Sequence, residues 1–261
     1  MNIPFYQVDA FTSQPFKGNP AGVCLLEMPV TDHLLQSIAA ENSHVETAFL
    51  LHTSEGYRLR WFSPLIEMPL CGHATLATAH ILWETGLEPA DAPLRFGTHS
   101  GVLTATREEG WIGLDLPARR HAACEMPPEL EQLFSGRYVN VVYSVDRFIV
   151  ELSSAAAVRD FVPDSALLKN YRCVITARGE DEGPYDFISR YFALPVGFLE
   201  DPVTGTAHCS LAPYWAERLG KKALFAYQAS PRGGELKIVL TGDRVLLSGE
   251  AVTVIEGRIN I

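Results

Sequence analysis

The sequence predicts an α+β protein built from two similar, pseudo-symmetric domains, each a curled, mainly antiparallel sheet around a central helix. Three observations predict it. A turn holding Pro69, Cys71, Gly72 and His73 opens onto Leu76, Ala77, Ala79, Ile81 and Leu82, the spacing of a mostly buried helix, and Gly86 is placed to end that helix. A second small-residue turn, at 201–206, opens a second apolar helix that closes near Gly220. Arg60-Trp61-Phe62-Ser63 precedes the first turn and Arg190-Tyr191-Phe192-Ala193 the second, so the chain reads as a duplication. Both helices are apolar on more than one face and stand among short alternating strands, which requires a sheet that wraps around each of them.

Along the chain, 5–12 reads as a strand, and Gly18-Asn19-Pro20-Ala21-Gly22 reads as a turn feeding a second strand at 23–26. Thr31 and Asp32 offer an N-cap to a helix with Leu34, Leu35, Ile38 and Ala39 on one face, ending near Asn42. Strands follow at 45–51 and 57–62, the latter alternating Tyr57, Leu59 and Trp61 with Arg58 and Arg60. Beyond the central helix come strands at 94–98, 102–107 and 111–116. The proline-bearing stretch 117–128 breaks the pattern as a linker, with a helix start at 127–129. The second half then offers strands at 138–143 and 148–152, helical patches over 154–170, and strands at 172–176 and 187–192. The helix at 205–219 follows, and the chain ends on short strands at 225–228, 236–240, 245–247 and 252–255. The domains implied are 1–116 and 117–261, with the last strand able to cross back to the first domain.

Composition narrows the functional classes. The 261 residues are 47% hydrophobic and 20% charged, which suits a packed globular core. A formal net charge of −10, with no basic cluster beyond Arg119-Arg120 or Lys221-Lys222, argues against nucleic acid and anionic membrane as partners and for a small ligand. The start Met1-Asn2-Ile3-Pro4-Phe5-Tyr6 has no basic, apolar leader pattern and no run reaches the roughly 20 apolar residues of a membrane span, so a cytoplasmic location is expected. Five cysteines, an odd number without CxxC pairs, read as reduced thiols, not as a zinc site or a disulfide scaffold.

The chemistry concentrates at the two turns. Free N–H groups near Gly72, His73, Gly205 and Thr206 would point out of helix N-termini, where the macrodipole favours an anion, and glycine at 72 and 205 lets a ligand approach the backbone. Two similar domains meeting with pseudo-two-fold symmetry would face these turns across an interdomain cleft as a receptor for one carboxylate. The bland alternative is a pair of merely capped helices. Cys71 and Asp201 stand at comparable places before the turns; Cys71 is open to a nucleophile or base role, or to a small packed one. With a carboxylate at the second turn, a two-thiol inversion of a carbon centre is absent.

Glu46 enters an otherwise apolar strand, Val45-Glu46-Thr47-Ala48-Phe49. On a solvated face it would be unremarked, but burial in a cleft would bring it into the range where a carboxyl works as acid and base near neutrality. His73 is open to orienting the ligand, sharing the proton work or capping its helix. His44, Glu46 and His73 lack the ligand number and spacing of a metal site, so no metal is expected, and no nucleotide- or cofactor-binding motif is present.

These motifs, in this order, resemble the PhzF-type phenazine-biosynthesis isomerase family, related in fold to diaminopimelate epimerase. The resemblance runs through Val8-Asp9-Ala10-Phe11, Gly18-Asn19-Pro20-Ala21-Gly22-Val23 and Ser43-His44-Val45-Glu46-Thr47-Ala48-Phe49. It continues through Cys71-Gly72-His73-Ala74-Thr75, Glu200-Asp201-Pro202-Val203-Thr204-Gly205-Thr206-Ala207 and Arg232-Gly233-Gly234, and so covers essentially the full chain. It implies a cofactor-independent isomerase, dimeric, with Glu46 as catalytic acid/base, assisted by His73 and Asp201, and with Gly72, Gly205 and Thr206 at the substrate. Thr206 departs from the family's common serine by a methyl group. Two functions remain: an isomerase that shifts a proton within a small carboxylated substrate, or a binding or interaction protein that kept the cleft. Glu46 discriminates, because an anion receptor has no use for a buried carboxylate beside it.

Overall fold

The computed structural model describes residues 1–90 and 92–261, which fall into two compact units, Met1–Asp115 with Ser248–Ile261, and Leu116–Leu247. The first unit is laid down as β1 (Asn2–Ala10), β2 (Asn19–Leu26), α1 (Asp32–Asn42), β3 (Glu46–Thr53) and β4 (Gly56–Phe62). It continues with β5 (Glu67–Met68), α2 (Gly72–Glu84), β6 (Leu94–Thr98), β7 (Gly101–Glu108) and β8 (Trp111–Pro117). The second opens with β9 (Ala122–Ala123), α3 (Pro128–Phe134), β10 (Asn140–Ser144), β11 (Arg147–Glu151), α4 (Ala155–Arg159), α5 (Ser165–Leu168) and β12 (Cys173–Arg178). It is completed by β13 (Phe187–Ala193), β14 (Phe198–Asp201), α6 (Gly205–Leu219), β15 (Ala223–Gln228), β16 (Gly234–Thr241) and β17 (Arg244–Gly249). The chain then returns to the first unit as β18 (Ala251–Asn260), antiparallel to β1.

Strand pairing shows the duplication directly. In the first unit β1 and β2 are antiparallel, β2 and β3 parallel across α1, β3 and β4 antiparallel, and β4 carries β5 antiparallel and β6 parallel across α2. In the second, β10 and β11 are antiparallel, β11 and β12 parallel across α4 and α5, β12 and β13 antiparallel, and β13 carries β14 antiparallel and β15 parallel across α6. The two orders are the same. A parallel pair needs a crossover, and helices supply one at each such step.

In each unit helices pack against the strands. In the first unit Leu35, Ile38 and Ala39 of α1 pack with Cys24, Phe49 and Phe62. The alternate residues Ala48 and Leu50, also buried, point to the other face, where α2 lies against β1, β2 and β3. In the second, Leu130 and Phe134 of α3, Val158 of α4 and Leu168 of α5 cover Val150, Ile175 and Phe192 of the sheet. Both α2 and α6 are buried along nearly their whole length, as helices apolar all round must be. Among the described residues no helix is long and apolar enough to cross a membrane.

Two expectations are corrected. The 18–22 cluster is not a turn as a whole: only Gly18 turns, with φ 62°, and a Cβ there would sit 2.1 Å from the Ala10 carbonyl oxygen, while Asn19 already pairs with Ala10 in β2. Pro20 is tolerated as the second residue of that strand, where proline does least harm to a ladder. The turns at 63–71 and 197–204 also hold unforeseen strands, β5 and β14.

Candidate active site

The first helix mouth is formed by β3 and α2. Glu46 is the first residue of β3, set opposite Ala21 of β2, and Cys71 is the N-cap of α2 in extended conformation. Glu46, Cys71 and His73 are respectively 6%, 4% and 5% exposed, so all three side chains work out of bulk water. His73 Nε2 lies 3.4 Å from Glu46 Oε2, and His73 Nδ1 lies 3.5 Å from Cys71 Sγ. The imidazole therefore stands between carboxyl and thiol. Burial, reinforced by the charge of His44, holds the His73 pKa down at about 3, so the ring is neutral and its contact with Glu46 is not an ion pair.

One ligand atom each from Glu46, Cys71 and His73 falls within 4.8 Å of the others, a group of metal-ligand types that sequence reasoning built differently, with His44 in place of Cys71. His44 instead stacks on Phe5, with ring centroids 6.4 Å apart. The thiol and the carboxyl address different nitrogens of one ring, whereas a single ion takes one imidazole nitrogen in its plane. That row, a thiol bonded to one ring nitrogen and a carboxyl in 3.4 Å contact with the other, suits proton transfer better than a shared ion. Gly72 opens α2, and Cys71 offers its first turn no side-chain cap.

The second mouth is formed by β14 and α6. Gly205 opens the helix, and its N-cap is Thr204, whose hydroxyl is turned away from the helix to donate to Asp201 Oδ2 at 2.5 Å. Gln228 locks this corner: its Nε2 donates to the Asp201 carbonyl at 2.7 Å and its Oε1 accepts from the Thr204 N–H at 2.9 Å. Register also corrects the pairing of Cys71 with Asp201. Met68 pairs with Trp61 four residues before Gly72, and Asp201 pairs with Tyr191 four residues before Gly205. Asp201 is thus the counterpart of Met68, Thr204 of Cys71, and Thr206 of His73.

Downstream, Pro213 sits inside α6 and has no N–H to give the Cys209 carbonyl, which accepts instead from the Arg119 N–H at 2.9 Å. This draws the 118–121 segment onto the helix. It also brings the Arg119 side chain to Asp146, which receives Arg119 at 3.4 Å, Arg147 at 2.7 Å and Arg172 at 2.6 Å. Arg147 is 2% exposed, stacks over the Tyr191 ring at 4.8 Å and donates from Nη1 to Thr206 Oγ1 at 3.4 Å. Sequence reasoning missed Arg147 and Gln228. Arg147 heads the apolar run Phe148-Ile149-Val150 as Glu46 heads its own, which is the signal that could have found it.

The first unit thus gathers Glu46, His73, Gly72 and Cys71, and the second gathers Asp201, Gly205 and Thr206 with Arg147 and Gln228. The family model for phenazine biosynthesis-like proteins, PhzC-PhzF, matches residues 8–257. An uncharacterized isomerase of Pseudomonas aeruginosa is 47% identical, each chain being covered in full. The crystal structure of a PhzF-family phenazine biosynthesis protein from Enterococcus faecalis is similar at TM-score 0.94 and 38% identity, with full coverage of both chains. A probable proline racemase from Agrobacterium radiobacter, at TM-score 0.68 and 12% identity, covering 99% of this chain and 93% of its own, shares the fold alone. With matching motifs, a repeated α+β fold and full-length relatives, this chain belongs to the PhzC-PhzF family of phenazine biosynthesis-like proteins.

Proposed function

We propose that the protein is a cofactor-independent isomerase that moves a proton within a small carboxylated substrate, with Glu46 as the acid/base. The observation that carries the reading is the Glu46 carboxyl, buried and 3.4 Å from a neutral imidazole, at the mouth of a helix without a side-chain cap. In this reading Glu46 removes a proton from carbon and returns it at a conjugated position. The uncapped N–H groups from Gly72 onward stabilise the negative charge that develops on the substrate carboxylate. His73, neutral, orients the Glu46 carboxyl and steadies it through the transfer. One acid/base suits a shift along a conjugated system better than inversion at a single carbon. The duplication supports the second half of the proposal: Asp201, Gly205 and Thr206 serve the same substrate. The isomerase names of relatives such as the Pseudomonas aeruginosa protein point the same way.

A panel of small unsaturated carboxylates in deuterated water, followed by NMR, tests this. Wild type is expected to exchange a carbon-bound proton in at least one compound and to move a double bond. Glu46→Gln keeps shape and hydrogen bonding, and its turnover is expected to fall roughly 100-fold to 10,000-fold with binding retained. Cys71→Ala is expected to stay within about tenfold of wild type, the range left to a packed group near the chemistry. A Glu46→Gln protein of near-normal rate, or a folded but inactive Cys71→Ala, would move the proton chemistry to the thiol. Binding without exchange throughout the panel favours the alternative of a binding protein that kept the site.

A further inference from the structure

Because the two units share one pairing order, positions on their matching strands have counterparts. Thr47 pairs with Phe62 and Cys173 with Phe192, so the residue before each, Glu46 and Arg172, are equivalent. Gly22 pairs with Thr47 and Phe148 with Cys173, so Ala21 and Arg147 are equivalent. Where the first mouth sets a carboxyl against His73, the second sets a guanidinium against Thr206, the counterpart of that histidine. Glu46's own position holds Arg172 in the second unit, and the guanidinium that meets Thr206 comes from the neighbouring strand, at the place of Ala21.

The cation is undersupplied with acceptors. A guanidinium carries five N–H donors. Arg147 gives one from Nε and one from Nη2 to Asp146, and one from Nη1 to Thr206, which leaves two without an acceptor among the described residues. Exposure of 2% keeps water from serving both. Asp146 is already divided among three guanidiniums, and with Asp201 counted as well the corner remains positive, in a chain whose formal charge is −10. Buried charge is retained where a counter-charge meets it.

We propose that Arg147, together with the Thr206 hydroxyl, binds an oxyanion of the ligand, a carboxylate or a phosphate, and so sets which substrates are accepted. The identification of that ligand with the isomerase substrate rests on the proposed function; the anion site itself does not. A purely structural role, tying the β10–β11 turn to α6, would use the same three hydrogen bonds but would leave anion affinity untouched.

Titration calorimetry of the intact protein with malonate and with inorganic phosphate, against sodium chloride at matched ionic strength, tests the site. Wild type is expected to bind one of the two saturably, and the tighter of them identifies the group recognised. Arg147→Gln is expected to weaken that binding at least about tenfold, the scale of a lost charge-assisted pair of hydrogen bonds. Arg172→Gln removes an equal charge from the same Asp146 without reaching Thr206, and is expected to stay within about twofold. If Arg147→Gln does not fold, Arg147→Lys keeps the charge without the planar fork and is expected to lose about threefold or more. No saturable binding by wild type, or affinity unchanged in the folded Arg147 variant, overturns the proposal. Glu46→Gln separates the two readings. Anion binding retained with proton exchange lost supports both, and exchange retained in that variant sinks the acid/base assignment while leaving the anion site standing.

Discussion

Two histidines, His73 at the first mouth and His208 one turn into α6, are buried in neutral form. Burial lowers His208 to about 4, against the partial compensation of its contact with the Thr204 carbonyl at 2.8 Å, and lowers His73 to about 3. In the unfolded chain both would bind a proton near the ordinary value of 6.5. As pH falls below that value the unfolded state takes up protons that the folded state refuses, so stability falls with pH down to the folded values and levels beneath them. Urea midpoints measured between pH 7 and pH 4 are expected to decline, and His208→Asn to decline less steeply, by roughly 1.4 kcal/mol per pH unit for the one proton removed. Parallel slopes in the two proteins would show that His208 does not contribute. At this scale Glu46 and His73 are legible in the sequence because each is a polar residue where apolar pattern demands otherwise. Arg147 is equally polar in an equally apolar run, yet its meaning depends on which strand of the other half it matches, and register is not written in one strand. Gln228 is hidden for a further reason, since it meets Asp201 only through a 27-residue separation closed by the parallel pairing of β13 and β15.

The helices divide by how they begin. Thr31, Ser154 and Asp164 each cap α1, α4 and α5 with a side-chain oxygen, whereas Cys71 and Thr204 give no such bond to α2 and α6. α1, α4 and α5 spend a side chain on their first turn, α3 starts on prolines without one, and the two long helices leave theirs open at the mouths where the chemistry is proposed. Thr31→Ala is therefore expected to cost about 1 kcal/mol of stability and to leave the substrate-dependent readouts alone, checked by denaturant midpoint at constant slope. A loss below a few tenths would mean that Ala39, Ile38 and Leu35 hold α1 without its cap. The cap and bounds of α1, the span of α6 and the start of α3 are visible in the sequence because caps, prolines and a 3.6 period act locally. β5 and β14 are not, because two or four residues carry no period. β18 runs to Asn260, beyond the expected 255, because its outer half is exposed and held by backbone bonds to β1, which leave no mark on side-chain alternation.

For the whole molecule, the repeat is legible because helix, turn and Arg-aromatic-Phe signatures recur in order. The first unit is finished by a strand drawn from beyond the second, a return that the sequence allowed for and that the repeat alone does not require. β18 pairs with β1 from Ala10↔Ala251 to Asn2↔Asn260, along the whole of β1. Removing residues 251–261 is expected to raise amide exchange in β1 and α2 by more than about tenfold while β12 and β13 stay protected, read by hydrogen-exchange mass spectrometry. Equal loosening of both units would show that they do not unfold separately. The same strand fixes an order of events during synthesis. The second unit is continuous in sequence and can close as soon as its own residues have emerged, whereas the first, though made earlier, keeps an unpaired β1 edge until β18 arrives. The half that is translated first is completed last, and the exposed edge of β1 is what the nascent chain must protect in the interval.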